Sequence, residues 1–413
     1  MASGVAAAPP APETGGKRRK RQSKDPSTMY LRDPRRAPVC RKARKFFRGT
    51  AGMNRTLELV MGPTKGWRTS AKLSVRGNPP KIGLFAPDSH DVVEMLHSEV
   101  HHPSINEMTK ALHRAVKALG IRGYNGKDHG GLSYISMVVE RASSKVQVAM
   151  VFNAKDKDEN FAQLQQLQSR LDPALLHSLW LHCNPAERHN NAIFSFDPAA
   201  WTQVSGPAVV EEQLFAPEVA AVPRPTLFFP PFVFRQANLS GFARIVEQVR
   251  ADVAAFGKSA LKRPPRVVEL YGGVGTIGLH LSDLVHSLEC SDENPHNRAC
   301  FDRSVKTLPA ALRPKVTYTP KAAEALSKDG ILNSADLLVV DPPRKGLDDA
   351  VHAAIHASPT LQRLVYVSCG FKAFQRDFVK LKDNGFHLVR AQGHLLFPGS
   401  DHLETLAIFA RKI

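Results

Sequence analysis

The chain has 413 residues, with 56 Lys and Arg against 38 Asp and Glu and a formal net charge of +18. Its 43% hydrophobic and 23% charged residues are typical of a folded protein of two or three domains and exclude wholesale disorder. No apolar run reaches the roughly 18 residues of a membrane span. The five cysteines show no CxxC spacing, which argues against a disulfide framework and a zinc site and favours a reducing intracellular compartment.

The positive charge is concentrated towards the N-terminus. Residues 1–70 hold 17 basic and 4 acidic residues, whereas the remaining residues hold 39 and 34. Residues 1–50 are therefore predicted to be a disordered basic tail. Basic residues around Phe46 and Phe47 suit phosphate contact and base stacking, although ordinary helix faces show the same spacing. We expect no secretory signal, and the sequence does not distinguish nucleus, cytoplasm and organelle.

An α+β domain is predicted over residues 51–205. Its predicted elements are strands over 72–75 and 81–85, a helix over 106–119, a hairpin of strands over 132–139 and 146–152, a helix over 160–171 and a strand over 179–182. Four histidines cluster in this region, namely His90, His97, His101 and His102. They lack glutamate or cysteine at metal-ligand spacing, so we predict no metal and interpret them as loop or substrate-facing residues.

Glycines follow the first strand of the C-terminal half. The strand over 266–271 is followed by Gly273, Gly275 and Gly278 in a GxGxxG pattern, after which a helix is predicted. Asp292 follows another strand-like stretch and could accept hydrogen bonds from ribose hydroxyls. The pattern predicts a Rossmann-like α/β domain over residues 206–413 that binds a nucleoside cofactor. At this point NAD and S-adenosylmethionine are equally compatible with it.

Three further side chains are predicted at the same edge of that sheet. Asp341 begins an Asp-Pro-Pro-Arg-Lys-Gly loop, Cys369 follows the strand over 364–368, and Glu404 precedes the strand over 405–410. Amino-group methyltransferases place an aromatic residue where this loop has Arg344, so amino methylation is disfavoured. A lone cysteine is usually a small buried residue. At the ligand-binding edge, however, Cys369 and Glu404 form a nucleophile and base pair.

Together these segments resemble the RNA uracil-C5 methyltransferases, which make 5-methyluridine in tRNA or rRNA. The matching segments occur in the order of the family and comprise residues 234–238, 269–278, 341–346, 366–369 with 376–377, and 402–404. The resemblance implies a class I S-adenosylmethionine-dependent methyltransferase domain and an RNA partner. Residues 67–205 resemble the central domain of the family more loosely.

The resemblance also implies roles for individual residues. Cys369 would be the nucleophile that adds to carbon 6 of uracil, and Glu404 the base that removes the proton from carbon 5. Arg344 and Asn238 would contact the substrate. The residues expected to hold S-adenosylmethionine are Gln236, Tyr271, Gly273, Gly275, Thr276, Asp292 and Asp341.

The sequence departs from the family at several positions. Gly272 stands where the family often has Cys, Thr276 where it often has Asn, and Gly370-Phe371 where it has Asn-Pro after the nucleophile. The last departure affects the expected positioning of the substrate more than the nucleophile. Some members bind an iron–sulfur cluster through four N-terminal cysteines, and Cys40 is the only cysteine in that region here, so we expect no cluster.

Two alternative functions remain at this stage. One is a catalytically reduced RNA-binding or ribosome-assembly factor on the same fold, although Gln236, Asp341, Cys369 and Glu404 are all retained. The other is a nicotinamide oxidoreductase, which leaves the Asp-Pro-Pro-Arg loop and the Cys369–Glu404 pair unexplained. We expect a monomer that acts on RNA without a membrane or a metal.

Overall fold

The computed structural model describes residues 25–86, 89–125, 130–154, 157–183, 194–195, 197–216 and 223–411. Within these residues the chain builds a seven-stranded sheet, an eight-stranded sheet and a two-stranded ribbon. The predicted disorder of residues 1–24 falls outside the described residues. In the described part of the chain, no helix is long and apolar enough to cross a bilayer.

The elements are numbered in chain order. The strands are β1 Glu58–Met61, β2 Ser70–Arg76, β3 Lys81–Phe85, β4 Val92–Glu94, β5 Leu132–Val139, β6 Val146–Phe152, β7 Leu176–Cys183, β8 Trp201–Ser205, β9 Val210–Gln213, β10 Thr226–Phe229, β11 Arg266–Leu270, β12 Ser287–Ser291, β13 Val316–Thr319, β14 Leu337–Val340, β15 Arg363–Ser368, β16 Phe386–Leu395 and β17 Glu404–Arg411. The α-helices are α1 Pro38–Gly49, α2 Pro103–Ala118, α3 Lys157–Gln168, α4 Leu239–Phe256, α5 Asn297–Val305, α6 Ala323–Lys328, α7 Asp349–Ala357 and α8 Phe371–Asp383.

The seven-stranded sheet has the order β4-β3-β2-β5-β6-β7-β8. The predicted hairpin is confirmed, because β5 and β6 pair antiparallel and Ser144 in the connection has a φ of 59°. Both predicted helices are also confirmed as α2 and α3, and α3 connects β6 to the parallel strand β7. The apolar face of α2, including Met108 and Leu112, is buried with the inward side chains of β5.

The eight-stranded sheet has the order β1-β16-β17-β15-β14-β11-β12-β13. Strands β11 to β15 are mutually parallel, and the chain reverses its direction of strand addition between β13 and β14, as in doubly wound folds. Strand β17 is antiparallel to both β15 and β16. The predicted Rossmann-like α/β architecture is confirmed, and its switch point at β11 and β14 is where such folds bind ligands.

The connection after the glycine loop differs from the prediction. The expected helix is a single 3₁₀ turn over Gly278–Leu281, and β12 begins at Ser287. So few residues separate the turn from the strand that no regular crossover helix fits. The turn is closed by the His280 ring, whose Nδ1 lies 2.8 Å from the Thr276 carbonyl oxygen.

The prediction of disorder is wrong for residues 25–50. Helix α1 buries Cys40, Ala43, Phe46 and Phe47 in the core of the eight-stranded sheet. Phe46 packs edge-on against Phe378 of α8, with ring centroids 5.1 Å apart. Charge and low apolar content suggested disorder, but the few apolar residues of this segment share one helix face and contact the other end of the chain.

The predicted domain boundary at residue 50 also needs correction, because β1 belongs to the eight-stranded sheet. Glu58 to Met61 pair in parallel with Gln392 to Leu395 of β16. Residues 25–61 thus pack with the C-terminal sheet, and the chain enters the seven-stranded sheet at β2.

An ion-pair cluster joins the two sheets next to the start of α4. Glu212 accepts hydrogen bonds from Arg235 and from Arg141, the latter with Nε 2.7 Å from Oε2. Arg235 also donates to the Thr69 hydroxyl at 2.9 Å and to the Val139 carbonyl at 3.0 Å. Arg235, within the 234–238 motif, therefore fixes one sheet against the other.

The clustered histidines have structural roles where two of them begin α2. The His102 Nδ1 accepts a hydrogen bond from the Ser104 N–H at 3.3 Å and caps the helix. His101 is buried, contrary to the predicted loop or substrate-facing position, and burial followed by the charge of Arg68 lowers its pKa to about 4. Among the described residues, no three His, Cys, Asp or Glu side chains are grouped to hold a metal ion.

Candidate active site

The predicted site residues meet at the carboxyl-end edge of the parallel strands. Strands β11, β12, β14 and β15 end side by side, because they are neighbours in one parallel sheet. The residues that follow these four strands are Tyr271 with the glycine loop, Asp292, Asp341 and Cys369. The first residue of the antiparallel strand β17, Glu404, comes to the same edge.

Cys369 and Glu404 lie opposite each other at the ends of two neighbouring strands, β15 and β17. Ser368 is the Cα partner of Thr405 in the antiparallel ladder of β15 and β17. Extending this register by one residue sets Cys369 opposite Glu404, with about 5 Å between the Cα atoms. The sheet topology therefore brings together the predicted nucleophile and the predicted base, which are separated along the chain by helix α8 and strand β16.

The environment favours the protonated forms of both groups. Burial raises the pKa of the Cys369 thiol to about 11, the charges of Glu404 and Asp341 add to this effect, and the Arg344 guanidinium opposes it. Burial, followed by the charge of Asp341, raises the pKa of Glu404 well above its usual range. Burial also raises the pKa of Asp341 to about 7. The charges of Asp341 and Glu404 repel each other, which favours the protonated form of one of the two carboxyl groups.

A buried carboxylate shapes the glycine loop. Oε2 of Glu269 accepts hydrogen bonds from the Gly278 N–H and from the Cys290 thiol, both at 3.1 Å. Gly275 has a φ of +79°, and a Cβ there would lie 2.7 Å from the Phe301 ring. Glycine is therefore required at position 275 by backbone conformation and by space. At Gly273, with a φ of +57°, a Cβ would meet no atom within 4 Å, so the loop presents open space on that side.

Asp292 is held beside this loop. Its carboxylate accepts hydrogen bonds from the Gly273 N–H at 3.0 Å, the Asn294 N–H at 2.9 Å and the Asn297 side-chain amide at 2.9 Å. Asn297 was missed in the sequence, although its position five residues after Asp292 on the first turn of α5 was a usable signal. The fixed carboxylate remains able to accept further hydrogen bonds from hydroxyl groups.

Tyr271 is placed by an unusual backbone conformation. Its φ is 59°, which a residue with a side chain rarely adopts, and its hydroxyl donates to Asp348 Oδ2 at 3.0 Å. Burial, followed by the charge of Asp348, raises the pKa of Tyr271, so the phenol stays neutral. Gln236 and Thr276 are both half-buried, Gln236 before α4 and Thr276 in the glycine loop.

Asp377 is a second residue whose role the sequence did not indicate. It accepts hydrogen bonds from the Tyr366 hydroxyl at 2.6 Å and from the Leu347 N–H at 2.9 Å. A Cβ on Gly346, where φ is +86°, would lie 2.4 Å from Asp377 Oδ2. Asp377 thus holds the end of the loop that begins at Asp341, which makes it a positioning residue.

One of the two residues predicted to contact the substrate, Asn238, has a structural role instead. Asn238 is buried, its Oδ1 accepts from the Gly241 N–H at 2.8 Å and its Nδ2 donates to the Leu396 carbonyl at 2.8 Å. Both polar atoms therefore serve to cap α4 and hold the C-terminal loop, and we correct its assignment. Arg344, by contrast, is exposed, and its charge acts on Cys369 and Glu404.

Comparison with known proteins assigns the family. No protein-family model matches the chain. An RNA methyltransferase of Protochlamydia amoebophila that is described as uncharacterised is 34% identical over 362 residues, which cover 86% of this chain and 88% of the relative. The 23S rRNA (uracil(747)-C(5))-methyltransferase of Shewanella oneidensis is 24% identical over 359 residues, 85% of each chain. The chain belongs to the RNA uracil-C5 methyltransferase family.

A solved structure shows that the family fold extends over both sheets. The tRNA (uracil-54, C5)-methyltransferase of Pyrococcus abyssi, in complex with S-adenosyl-L-homocysteine, superimposes with a TM-score of 0.70. It has 19% sequence identity, and the match covers 90% of this chain and 83% of that one. This match confirms the predicted class I fold. The relatives confirm the predicted resemblance and the S-adenosylmethionine-dependent RNA methyltransferase activity.

The residues of this uracil-C5 methyltransferase family member fit the nucleoside cofactor. The open space at Gly273 lies beside the anchored carboxylate of Asp292, which suits a ribose whose hydroxyls donate to it. The loop that contains Gln236 reaches the same place, because the Asn294 amide contacts the Phe232 carbonyl at 3.4 Å. These are the residues that would hold S-adenosylmethionine, at the ends of β11 and β12.

Two departures from the family motifs have a structural reason. A Cβ on Gly272 would lie 2.5 Å from the Cys290 Sγ, so the thiol on β12 already fills the space of a side chain at 272. A Cβ on Gly370 would lie 2.7 Å from the Arg344 carbonyl oxygen, and the next residue, Phe371, packs edge-on against Phe46 of α1 at 5.8 Å. Gly370-Phe371 thus lets the Arg344 loop and α1 approach the nucleophile.

Proposed function

We propose that this methyltransferase modifies carbon 5 of a uridine in tRNA or rRNA through a covalent bond between Cys369 and the uracil ring. The observation that supports the proposal most directly is the register of β15 and β17, which sets Cys369 opposite Glu404 beside Asp341. A nucleophile and a base at one sheet edge, next to a nucleoside cradle, match the needs of this reaction.

Carbon 5 of uracil is a poor nucleophile, which explains why a thiolate is needed. The Cys369 thiol gives up its proton to solvent, its Sγ bonds to carbon 6, and the electron pair of the C5–C6 double bond moves towards the O4 oxygen as an enolate. The bond from carbon 5 to the incoming methyl group then forms as the sulfur–methyl bond breaks. S-adenosylmethionine supplies this methyl group and leaves as the neutral thioether.

Glu404 then completes the reaction. Its carboxylate removes the proton from carbon 5, the C5–C6 double bond forms again, and the bond from carbon 6 to Cys369 Sγ breaks. Burial raises the pKa of Glu404, so its ionised form binds the carbon-5 proton more tightly than an ordinary carboxylate does. Arg344 favours the thiolate of Cys369 and can pair with the developing enolate oxygen.

The uridine must leave its stack for this to occur. Cys369 approaches the face of the ring at carbon 6, and a base inside a helix presents its faces to its neighbours. The substrate is therefore an unpaired uridine or one that is flipped out of a helix.

The test is a covalent trap with RNA that contains 5-fluorouridine. The fluorine on carbon 5 cannot be removed as a proton, so the methylated ring stays bonded to Cys369. We expect a protein–RNA adduct that survives denaturing electrophoresis and carries the labelled methyl group from S-adenosylmethionine. Cys369→Ala should form no adduct.

Two results would contradict the mechanism. One is the absence of any adduct with the wild-type protein on tRNA or rRNA fragments that it methylates. The other is an undiminished adduct with Cys369→Ala. Cys290→Ala is the matched control, since that thiol is buried against Glu269 and should leave the adduct intact.

A further inference from the structure

An open groove of about 930 Å³ leads away from Cys369 along the protein surface. Helix α1 forms one wall, the first turns of α8 form the other, and the loop with Asp401 and His402 lies between them. Three lysines line the groove, namely Lys42 and Lys45 on α1 and Lys372 on α8.

The ammonium groups of these lysines are available to a ligand. All three lysines are exposed, and Lys42 and Lys45 are three residues apart, so they share one helix face. Within the described ranges the structure records no ion pair or hydrogen bond for any of the three side chains. The groove also contains one carboxylate, that of Asp401. Its Oδ1 already accepts a hydrogen bond from the Val39 N–H of α1 at 2.7 Å.

The wall that carries two of the lysines is fixed in place. Phe46 and Phe47 pack against Phe371 and Phe374, with centroid distances of 5.7–6.2 Å. Both aromatic rings of α1 are buried, so they do not stack bases, as the sequence allowed. The α1 wall therefore presents positive charge that suits a phosphate backbone and no exposed phenyl ring on which a base could stack.

We propose that this groove binds the ribose–phosphate backbone of the RNA strand beside the reacting uridine, with Lys42, Lys45 and Lys372 contacting phosphates. The inference rests on the proposed function, in which a uridine reaches Cys369. A nucleotide that leaves its stack carries its neighbouring phosphates to the mouth of the pocket, where this groove begins.

An acidic protein segment is the other ligand that three lysines could attract. The position of the groove favours RNA, because Cys369 itself lines it. A protein segment bound there would cover the nucleophile and exclude the substrate. An RNA strand that follows the same path would deliver the substrate.

The experiment compares two full-length triple variants. K42A/K45A/K372A removes the groove charges, and K258A/K262A/K306A removes three exposed lysines near the amino-end edge of the parallel strands. The probe is a fluorescein-labelled, single-stranded 20-nucleotide RNA that contains uridine. Its Kd is measured without cofactor at several salt concentrations. Binding of S-adenosyl-L-homocysteine and the Tm show that each variant is folded.

Loss of phosphate contacts predicts a definite change in salt dependence. Each contact to single-stranded RNA contributes about 0.7 to the slope of log K against log salt, so the slope should fall by about 2 in the groove variant. The same relation predicts a loss of affinity of about fourfold per lysine at 0.15 M salt, or roughly 50-fold for all three. The control variant should retain most of the salt-dependence slope and most of the affinity.

The outcomes separate this proposal from the proposed function. The proposal that the groove binds RNA is overturned if the salt-dependence slope falls equally in both triple variants, or if it does not fall in the groove variant. It is also overturned if a 20-residue polyglutamate peptide binds through these lysines while RNA binding is unaffected. Repeating the titration with Cys369→Ala makes the result independent of chemistry. If the 5-fluorouridine trap fails but the groove variant still loses its salt-dependence slope, the covalent mechanism is refuted and the proposal that the groove binds RNA is retained.

Discussion

An aspartate flanks strand β14 at each end, and the two carboxylates differ in their hydrogen-bond partners. At the amino end, Asp336 is 2% exposed and accepts hydrogen bonds from both terminal nitrogens of Arg263 at 2.8 Å and from the Arg266 N–H at 2.7 Å. At the carboxyl end, the structure records no hydrogen bond or ion pair to the Asp341 carboxylate within the described residues.

The two pKa values follow from this difference. Burial opposes ionisation of Asp336, but the hydrogen bonds from Arg263 and Arg266 outweigh it and hold its pKa below the usual range. Burial without such partners raises the pKa of Asp341 to about 7. Asp336 is arranged for stability and Asp341 for reactivity, only one short strand apart. A buried carboxylate indicates a reactive site when its charge is left uncompensated.

The largest effect is expected when the base at the reactive end is removed. Glu404→Gln keeps the shape of the side chain but cannot accept the carbon-5 proton. Turnover should fall by about 10²- to 10⁴-fold. Unmodified uridine RNA should now remain bonded to Cys369 after methyl transfer, and denaturing electrophoresis with labelled S-adenosylmethionine measures this adduct. The double variant Cys369→Ala/Glu404→Gln should trap nothing, and a labelled adduct with that variant would refute the assignment.

The comparison itself is tested by the same substitution at both ends of β14. Asp336→Asn leaves Arg263 and Arg266 without their carboxylate, and we expect about 2 kcal/mol of destabilisation, since both arginines are partly exposed. That corresponds to a fall in Tm of roughly 3–5 °C. Asp341→Asn should leave the Tm unchanged or higher, and should lower the single-turnover rate at saturating RNA by about 10²-fold or more.

A matched pair of measurements decides the result. Differential scanning calorimetry gives the Tm, and rapid quench gives the single-turnover rate for each variant. If Asp341→Asn is the more destabilised protein, or Asp336→Asn the slower one, the proposed division between the ends of the strand is wrong.

The pH dependence of stability provides a further test of the comparison. Asp341 has a pKa of about 7 in the fold and about 3.9 in an unfolded chain, so the folded protein holds this proton more tightly. Its contribution is full below about pH 4 and is lost as the pH rises to about 7. The Tm of Asp341→Asn relative to the wild type should therefore increase between pH 4 and 7 and then level off. A difference that stays constant over this range would contradict the raised pKa.

Asp336 should show the opposite trend. Its pKa is lowered, so its contribution is present above about pH 4 and is lost as the pH falls further. The Tm difference between the wild type and Asp336→Asn should shrink in acid.

The sequence predicted the edge of the C-terminal sheet well, because each site residue directly follows or precedes a short apolar strand. Cys369 and Glu404 could be paired from the sequence, because the strand that ends before Cys369 and the strand that begins next to Glu404 were both predicted at the ligand-binding edge. The residues that were misjudged depend on distant parts of the chain. Phe46 has its partners on α8, and Asn238 has one at Leu396, which no local pattern reveals.

The N-terminal segment shows the same limit in physical terms. Its basic composition predicted a tail, yet the Tyr30 N–H donates to the Gly399 carbonyl at 2.7 Å, and the Ser98 hydroxyl donates to Asp25 at 2.8 Å. A deletion meant to remove only basic charge must therefore stop before Asp25. Cutting further would release the loop that leads to Glu404.

The position of β17 in the sheet has a consequence for the synthesis of the protein on the ribosome. This strand follows every other strand in the chain, yet it is inserted between β15 and β16, which are made before it. A nascent chain on the ribosome therefore carries Cys369 while the middle of its sheet is still open and Glu404 has not been made. Strand β17 therefore completes the middle of the sheet and delivers the proposed base in one step, so that the reaction can run to its end only in a fully synthesised chain.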